Sequence, residues 1–266
     1  MSNQIGVVVA LQLQDIAWHR TVGRLIDQLD KPVFWPALLG VLADYVAFDS
    51  WVVLLFFPEQ SPLVLAEQTM ADGGVDTLFQ DYLQGLYRLD PFYVASLEHR
   101  HAGLLRLDEV APDRFPFTDY YQRYFSLNIV EDEVQFNLPR EDGSTLCLSL
   151  GAGQRFSPQQ MATLSLLQTW VIALMRQRLH FEQASTAKPV AIAHAAVYGG
   201  LEGQGLTLRE NEVAQLMLSG HSSKAIAHRL QISVETVRVH KKHLYSKLGI
   251  NSQSELFSVF LRASRA

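Results

Sequence analysis

Between Ser233 and Leu248 the residues sort into two sides at helical spacing, and one side has the chemistry to read DNA. Ser233 suits a helix N-cap, and Val234, Val237, Leu244 and Leu248 recur on one apolar side. The opposite side carries Glu235, Arg238, Val239, Lys242 and Ser246. A helix that buries one face and presents Arg and Lys on the other can lie in a major groove. Its guanidinium and ammonium groups then reach guanine O6 and N7 and the flanking phosphates. Basic faces are usually only solvated, so the neighbouring elements decide the reading.

Those neighbours form a positioning frame. Thr207-x-x-Glu210 is a capping box that opens a first helix burying Val213, Leu216 and Met217, and Gly220 follows its last periodic residue. Ser222 or Ser223 caps a second helix with inner residues Ala225, Ile226 and Leu230, and Gln231-Ile232 make a short turn into the third. Three capped helices with a tight second turn predict a helix-turn-helix. Over about fifty residues the stretch also resembles the DNA-binding domain of LuxR/FixJ-type transcriptional regulators. The matching residues are Leu206, Thr207, Arg209, Glu210, Glu212, Val213, Gly220, Ser222, Lys224, Ile226, Ala227, Leu230, Ile232, Ser233, Thr236, Val237, Arg238, His240, Lys247, Leu248 and Gly249. Ala225 and Gln253 depart from the pattern, which usually has an acid at the first and often an arginine at the second. The resemblance implies that Arg238, Val239 and Lys242 face base edges. It implies phosphate contacts for Thr207, Lys224, Thr236 and Lys241, and a supporting role for His240.

The charge distribution agrees. Residues 206–266 hold nine Lys and Arg against four acids, a net of +5, while the whole chain carries −5, so residues 1–205 carry −10. This split assigns nucleic-acid contact to the C-terminal piece and predicts binding that weakens steeply with salt. The one cysteine, Cys147, has no partner for an intrachain disulfide. Apolar runs such as Val52–Phe57 are too short to span a bilayer, and Met1–Leu13 has no basic segment ahead of its apolar residues. A cytoplasmic protein without membrane contact is expected.

Upstream the pattern is mixed. Helices are expected over Asp15–Leu29, Pro36–Val46, Val75–Leu89, from Asp90-Pro91 to about His99, and over Thr118–Ser126. Strands are expected at Trp51–Phe57, Leu63–Glu67, Leu104–Leu107, Val130–Leu138 and Ser144–Leu150, the last two joined as a hairpin by Pro139–Gly143. Ser157-Pro158 pairs an N-cap with an N1 proline to open a long helix to about Gln183. The fold expected is α+β: an N-terminal α/β/α sandwich on an antiparallel sheet, similar to PAS or GAF sensors, joined to an all-α four-helix helix-turn-helix domain. The boundaries are 1–184 for sensing and dimerisation, 185–205 for a linker rich in Ala and Gly, and 206–266 for DNA binding. In the long helix Leu164, Leu167, Val171, Leu174, Arg178 and Phe181 recur in a heptad-like seam interrupted once by Arg178, which fits a dimer interface and a sheet-covering helix equally.

A phosphoacceptor receiver domain is excluded: no lysine lies between Lys31 and Lys188, and the strand Trp51–Phe57 runs into Pro58-Glu59 with no exposed Asp. The other common partner of such DNA-binding domains is the small-molecule sensor of quorum-sensing LuxR proteins, and the N-terminal layout resembles it divergently. Of that sensor's marks only Asp90-Pro91 matches cleanly; Phe79, Tyr82 and Tyr87 lie near the expected aromatic pair, and Leu105 stands where a Trp is usual. The resemblance implies that Asp90 accepts a hydrogen bond from an effector and that Ser149 faces it. Asp-Pro is equally the N-cap and N1 pair of a helix, and both roles fit one side chain. Aromatic residues with polar tips can line such a pocket, although most of the 24 that precede residue 206 are expected in the core. Tyr45, Trp51, Tyr82, Tyr87 and Tyr121 are the pocket candidates. No cofactor, metal site or catalytic group is expected: His99 and His101 lack a ligand pattern, and Cys147 lacks a base. The reading is a homodimeric transcriptional regulator that binds a two-fold related site on double-stranded DNA and responds to a small apolar or amphipathic effector. A protein partner for the N-terminal domain is the alternative.

Overall fold

The computed structural model describes residues 16–58, 60–68, 77–98, 101–129, 131–185, 201 and 204–264. Helices α1 (Ile16–Ile26) and α2 (Phe34–Ala43) lead into strands β1 (Ser50–Phe56) and β2 (Leu63–Glu67). Helix α3 (Thr77–Leu83), a 3-10 turn (Leu86–Leu89) and α4 (Pro91–Glu98) follow, then β3 (Gly103–Arg106) and the short α5 (Leu107–Val110). A π turn (Tyr121–Phe125) and α6 (Ser126–Asn128) precede β4 (Asp132–Pro139), β5 (Thr145–Ala152) and the 28-residue α7 (Pro158–Ser185). The C-terminal part is helical: α8 (Leu208–Leu218), α9 (Ser223–Arg229), α10 (Val234–Leu248) and α11 (Gln253–Ser264).

The five strands pair antiparallel in the order β2-β1-β5-β4-β3. Side chains alternate across the sheet. Val53, Leu55, Val134, Phe136, Leu138, Leu146, Leu148 and Leu150 join one core with α1, α2 and α7. On the other face, Leu54, Phe56 and Cys147 join a core with α3, the 3-10 turn, α4 and the aromatic stretch Phe115–Phe125. Both faces are therefore covered, as expected for an α/β/α sandwich.

Three expectations change in detail. The helix expected over Val75–Leu89 begins at Thr77 among the described residues and breaks at Gln84-Gly85 into the 3-10 turn. The helix expected over Thr118–Ser126 forms from Asp119 and widens to a π turn over Tyr121–Phe125, with Tyr121 stacked on Phe125. The seam of α7 faces inward: Leu164, Leu167, Val171 and Leu174 are buried in the sheet core, and Phe181 is 45% exposed. These leucines cover the chain's own sheet and are not available to a second subunit. Arg178 does not interrupt a seam either. Its guanidinium donates to the carbonyls of Leu29 (2.7 Å) and Lys31 (2.9 Å) and pairs with Glu182 at 2.7 Å, clamping α7 to the α1–α2 turn. The expected linker 185–205 lies almost wholly outside the described residues.

The helical C-terminal part packs on the aromatic layer. The Arg114 amide donates to Gly220 O (3.0 Å), the Ser222 amide to Asp113 Oδ1 (3.1 Å), and Arg229 pairs with Glu98. The Arg123 guanidinium sits 5.5 Å from the centre of the Phe257 ring.

Candidate nucleic-acid interface and buried polar site

The C-terminal helices are set by their caps. Thr207 Oγ1 accepts from the Glu210 amide and Glu210 Oε2 accepts from the Thr207 amide (2.8 Å), closing the capping box of α8. Burial pushes the Glu210 carboxyl up, but its 2.6 Å bond from Lys247 and the Thr207 bonds outweigh this and hold it down at about 2. Ser222 caps α9 and Ser233 caps α10. Arg209 donates to Leu230 O (2.8 Å) and pairs with Glu212, fastening α8 to the end of α9. Gln231, with φ +53°, makes the tight turn between α9 and α10, and Gly249 ends α10 in the left-handed region. Gln253, where the family pattern often has arginine, donates to Met217 O (2.6 Å) and satisfies the end of α8.

This frame buries Val237 and Leu244 of α10 and turns its other side outward. Glu235, Arg238, Val239, Lys242 and Ser246 are all exposed, Val239 to 50%. Arg238 pairs with Glu235 in the free protein. Thr207 and Lys224 are exposed, while Thr236 and Lys241 are half-buried. The Lys241 ammonium lies 5.4 Å from the centre of the Tyr245 ring. The result is an outward helix face carrying Arg238 and Lys242, backed by capped helices that pack on its buried side.

A second group of polar residues lies inside the N-terminal part. Asp90 is buried and caps α4: its Oδ1 accepts from the Phe92 amide (2.8 Å) and its Oδ2 from Tyr82 Oη (2.7 Å). Burial raises its carboxyl to about 6 against the pull of these bonds. From β4, Glu133, Gln135 and Asn137 point to the same side of the sheet as Ser149 and Cys147 of β5. Gln135 Nε2 donates to Ser149 Oγ (2.6 Å), and Ser149 bonds Glu133 in turn. Gln135 Oε1 and both side-chain polar atoms of Asn137 have no hydrogen-bond partner, although Asn137 is only 3% exposed. Burial, then the nearby Asp90 charge, raises the Glu133 carboxyl well above the ordinary range. The same two causes raise the Tyr82 and Tyr120 hydroxyls and the Cys147 thiol.

The seven sequence candidates for this pocket divide. Tyr82, Tyr87, Asp90 and Ser149 come together on the polar face of the sheet. Trp51 packs against the opposite core. Tyr45, 49% exposed, meets Trp18 edge-on beyond that same core. Tyr121 stacks on Phe125 and meets Phe115 edge-on, away from the polar row. The odd-numbered residues of β1 face α2 and α7, which takes Trp51 away from the polar row. Glu133, Gln135 and Asn137 escaped the sequence reading because polar residues alternating with Val134, Phe136 and Leu138 look like the wet side of a half-buried strand. Among the described residues no group of His, Cys, Asp and Glu is arranged to hold a metal ion, and no helix is long and apolar enough to cross a membrane.

Residues 204–260 match the family GerE, described as bacterial regulatory proteins, luxR family. An HTH-type transcriptional regulator from the exeN 3′ region of Aeromonas salmonicida is 35% identical over 183 residues, covering 65% of this chain and 93% of the relative. The chain belongs to the luxR family of bacterial regulatory proteins. It is therefore a helix-turn-helix transcriptional regulator, not an enzyme. The monoamine regulon transcriptional regulator of Klebsiella aerogenes is 25% identical over 183 residues, 69% of this chain and 72% of the relative. The N-terminal part of this luxR-family regulator is similar to the crystal structure of the VqsR LBD domain from Pseudomonas aeruginosa. That structure shares 43% identity with a TM-score of 0.58, covering 63% of this chain and 99% of the other. The N-terminal part thus resembles the VqsR LBD domain, and the C-terminal part carries the family signature.

Proposed function

We propose that this regulator binds DNA through α10 and is controlled by a small-molecule effector held on the polar face of its N-terminal sheet. One observation carries the effector reading: Gln135 Oε1 and Asn137 are buried without hydrogen-bond partners beside Tyr82, Asp90 and Ser149. An unsatisfied buried polar group costs ~1–3 kcal/mol, a cost that a hydrogen-bonding guest removes. Tyr82, Tyr87, Asp90 and Ser149 remain the effector contacts of this reading, with Gln135 and Asn137 added; Tyr45, Trp51 and Tyr121 leave it. On the DNA side Arg238, Val239 and Lys242 face base edges, and Thr207, Lys224, Thr236 and Lys241 hold phosphates. The working units are residues 1–184, a linker 185–205 and residues 206–266, acting in the cytoplasm. Two copies occupy a two-fold related site with recognition helices ~34 Å apart.

A continuous aromatic contact supports communication between the halves. Tyr82 stacks on Tyr124 (5.3 Å), Tyr124 meets Tyr120 (5.4 Å), Tyr120 meets Phe115 (6.0 Å), and Phe115 abuts Gly220 at the end of α8. An effector that moves Tyr82 therefore acts on groups packed directly against the DNA-binding helices. It regulates only in so far as it binds the docked and released arrangements differently.

Native mass spectrometry of the intact chain, followed by denaturation, tests this reading. A small mass that leaves on unfolding, and whose removal changes DNA affinity, is the expected result. A chain that carries nothing and takes up nothing from a metabolite extract, yet changes DNA affinity with a bound protein, would replace effector control by partner control.

A further inference from the structure

Among the described residues Glu210, Glu182, Asp90 and Glu133 hold carboxylates in largely buried surroundings, and two of them have a basic partner. Glu210 has Lys247, and Glu182 has Arg178. Glu133, only 4% exposed, differs. The charges acting on it come from Asp90 and Asp132, and among the described residues no basic side chain acts on it or on Asp90. Asp90 is already occupied by Tyr82 Oη and the Phe92 amide. The Ser149 hydroxyl favours the ionised form of Glu133 against the effect of burial, and a carboxylate has about four lone-pair sites to offer a donor.

The unpartnered neighbours extend the same surface. Because Gln135 Nε2 is spent on Ser149, the free atom of that amide is its carbonyl oxygen, an acceptor. Asn137, one strand step further on the same face, offers a donor and an acceptor. Alternate residues of a strand stand roughly 7 Å apart, so the row presents an acidic acceptor end and an uncharged polar end. The rings of Tyr82, Tyr120 and Tyr124 pack together beside the two acids, and such faces attract cations.

On the reading that this face holds an effector, we propose that the effector is cationic: a primary amine whose ammonium binds Glu133 and Gln135 Oε1, with a second, uncharged polar group reaching Asn137. An ammonium has three donors and no acceptor, which fits the Glu133 end of the row. A neutral guest brings no charge that would favour the carboxylate form of Glu133 over the protonated one. Burial raises the Glu133 carboxyl well above the ordinary range, and a bound ammonium favours the ionised form, so binding draws off whatever proton the acid carries. Tyr82, Tyr120 and Cys147 lie in the core on the same side of the sheet, and burial raises all three, which favours their neutral forms. Asp90 is the other acid there, and its two bonds keep it in place as the helix cap.

The test uses the full chain and α,ω-amino alcohols of about four to eight carbons, a span set by the ~7 Å strand step, with diols of equal length as neutral controls. Thermal denaturation is expected to rise with amino alcohols and not with diols. Calorimetry in two buffers of different ionisation enthalpy is expected to show proton release on amine binding. Glu133→Gln keeps the shape and the Ser149 bond, and is expected to weaken the amine at least about ten-fold, while Asn137→Ala shortens the preference to simple amines. Equal stabilisation by the diols, or full affinity in Glu133→Gln, overturns the cation and leaves effector control standing. Stabilisation by no amino alcohol also overturns it, and the mass-spectrometric experiment then decides effector control separately.

Discussion

Gly220 lies directly against Phe115 and Thr118 of the N-terminal part, and its substitution by alanine separates two energetic effects. Its φ is +97°, and it ends α8 with the His221 amide donating to Leu216 O at 2.9 Å. A side chain in this left-handed region costs roughly 1–2 kcal/mol wherever it occurs. The second effect is local to the interface. A Cβ on Gly220 would meet Thr118 Cγ2 at 2.6 Å and the Phe115 backbone at 3.1 Å. Forcing a methyl into such a contact costs about 1–3 kcal/mol unless the surfaces part. Gly249 provides the control: its φ is +64°, and a Cβ there would meet nothing within 4 Å. Gly249→Ala is expected to destabilise the helical part by the backbone effect alone. For a unit of about 60 residues each kcal/mol lowers Tm by ~4–8 °C. Gly220→Ala pays that and also releases the helices from the aromatic layer. Hydrogen exchange on the full chain reads the difference, because the Arg114 and Ser222 amides bond across the contact. Both should lose protection in Gly220→Ala and keep it in Gly249→Ala. Equal behaviour of the two variants would refute the claim that this glycine holds the halves together.

Two further predictions concern buried charge and the long helix. Glu210 has a folded-state value near 2 against about 4.3 when unfolded. Its contribution is therefore present above about pH 4.3 and lost as the pH falls toward 2. Lys247→Met removes its principal partner and is expected to cost ~1–3 kcal/mol at neutral pH and to flatten the acid limb of stability. An unchanged acid limb in urea titrations would contradict the assignment. Leu167→Glu places a charge in the sheet core under α7 and is expected to unfold the N-terminal part, by more than about 4 kcal/mol. A folded monomer by circular dichroism and sedimentation would instead restore the helix seam as a subunit contact.

The helix-turn-helix was legible because its signals are local. Thr207, Ser222 and Ser233 cap their own helices, Gly249 ends one, and the apolar spacing in between needs no distant partner. The antiparallel sheet was legible for the same reason: β1, β4 and β5 alternate or run apolar over their lengths. What stayed hidden depends on the third dimension. Glu133, Gln135 and Asn137 look solvent-facing until helices cover that side of the sheet. The one-residue phase of β1 sends Trp51 to one core and Val52 toward the other. Arg178 looked like a flaw in a heptad because its acceptors, Leu29 O and Lys31 O, lie about 147 residues away in the chain. The contact of Gly220 with Phe115 has no sequence signature beyond the glycine itself, which a helix end already explains.

The central claim is that the outward face of α10 reads DNA. Selection of bound sequences from a random duplex library by the full chain, beside Arg238→Ala, tests it most directly. The native chain should enrich a two-fold related site, and Arg238→Ala, with its fold intact by circular dichroism, should lose that enrichment while keeping weak, salt-sensitive binding. Enrichment of the same site by both proteins would place sequence reading elsewhere in the molecule.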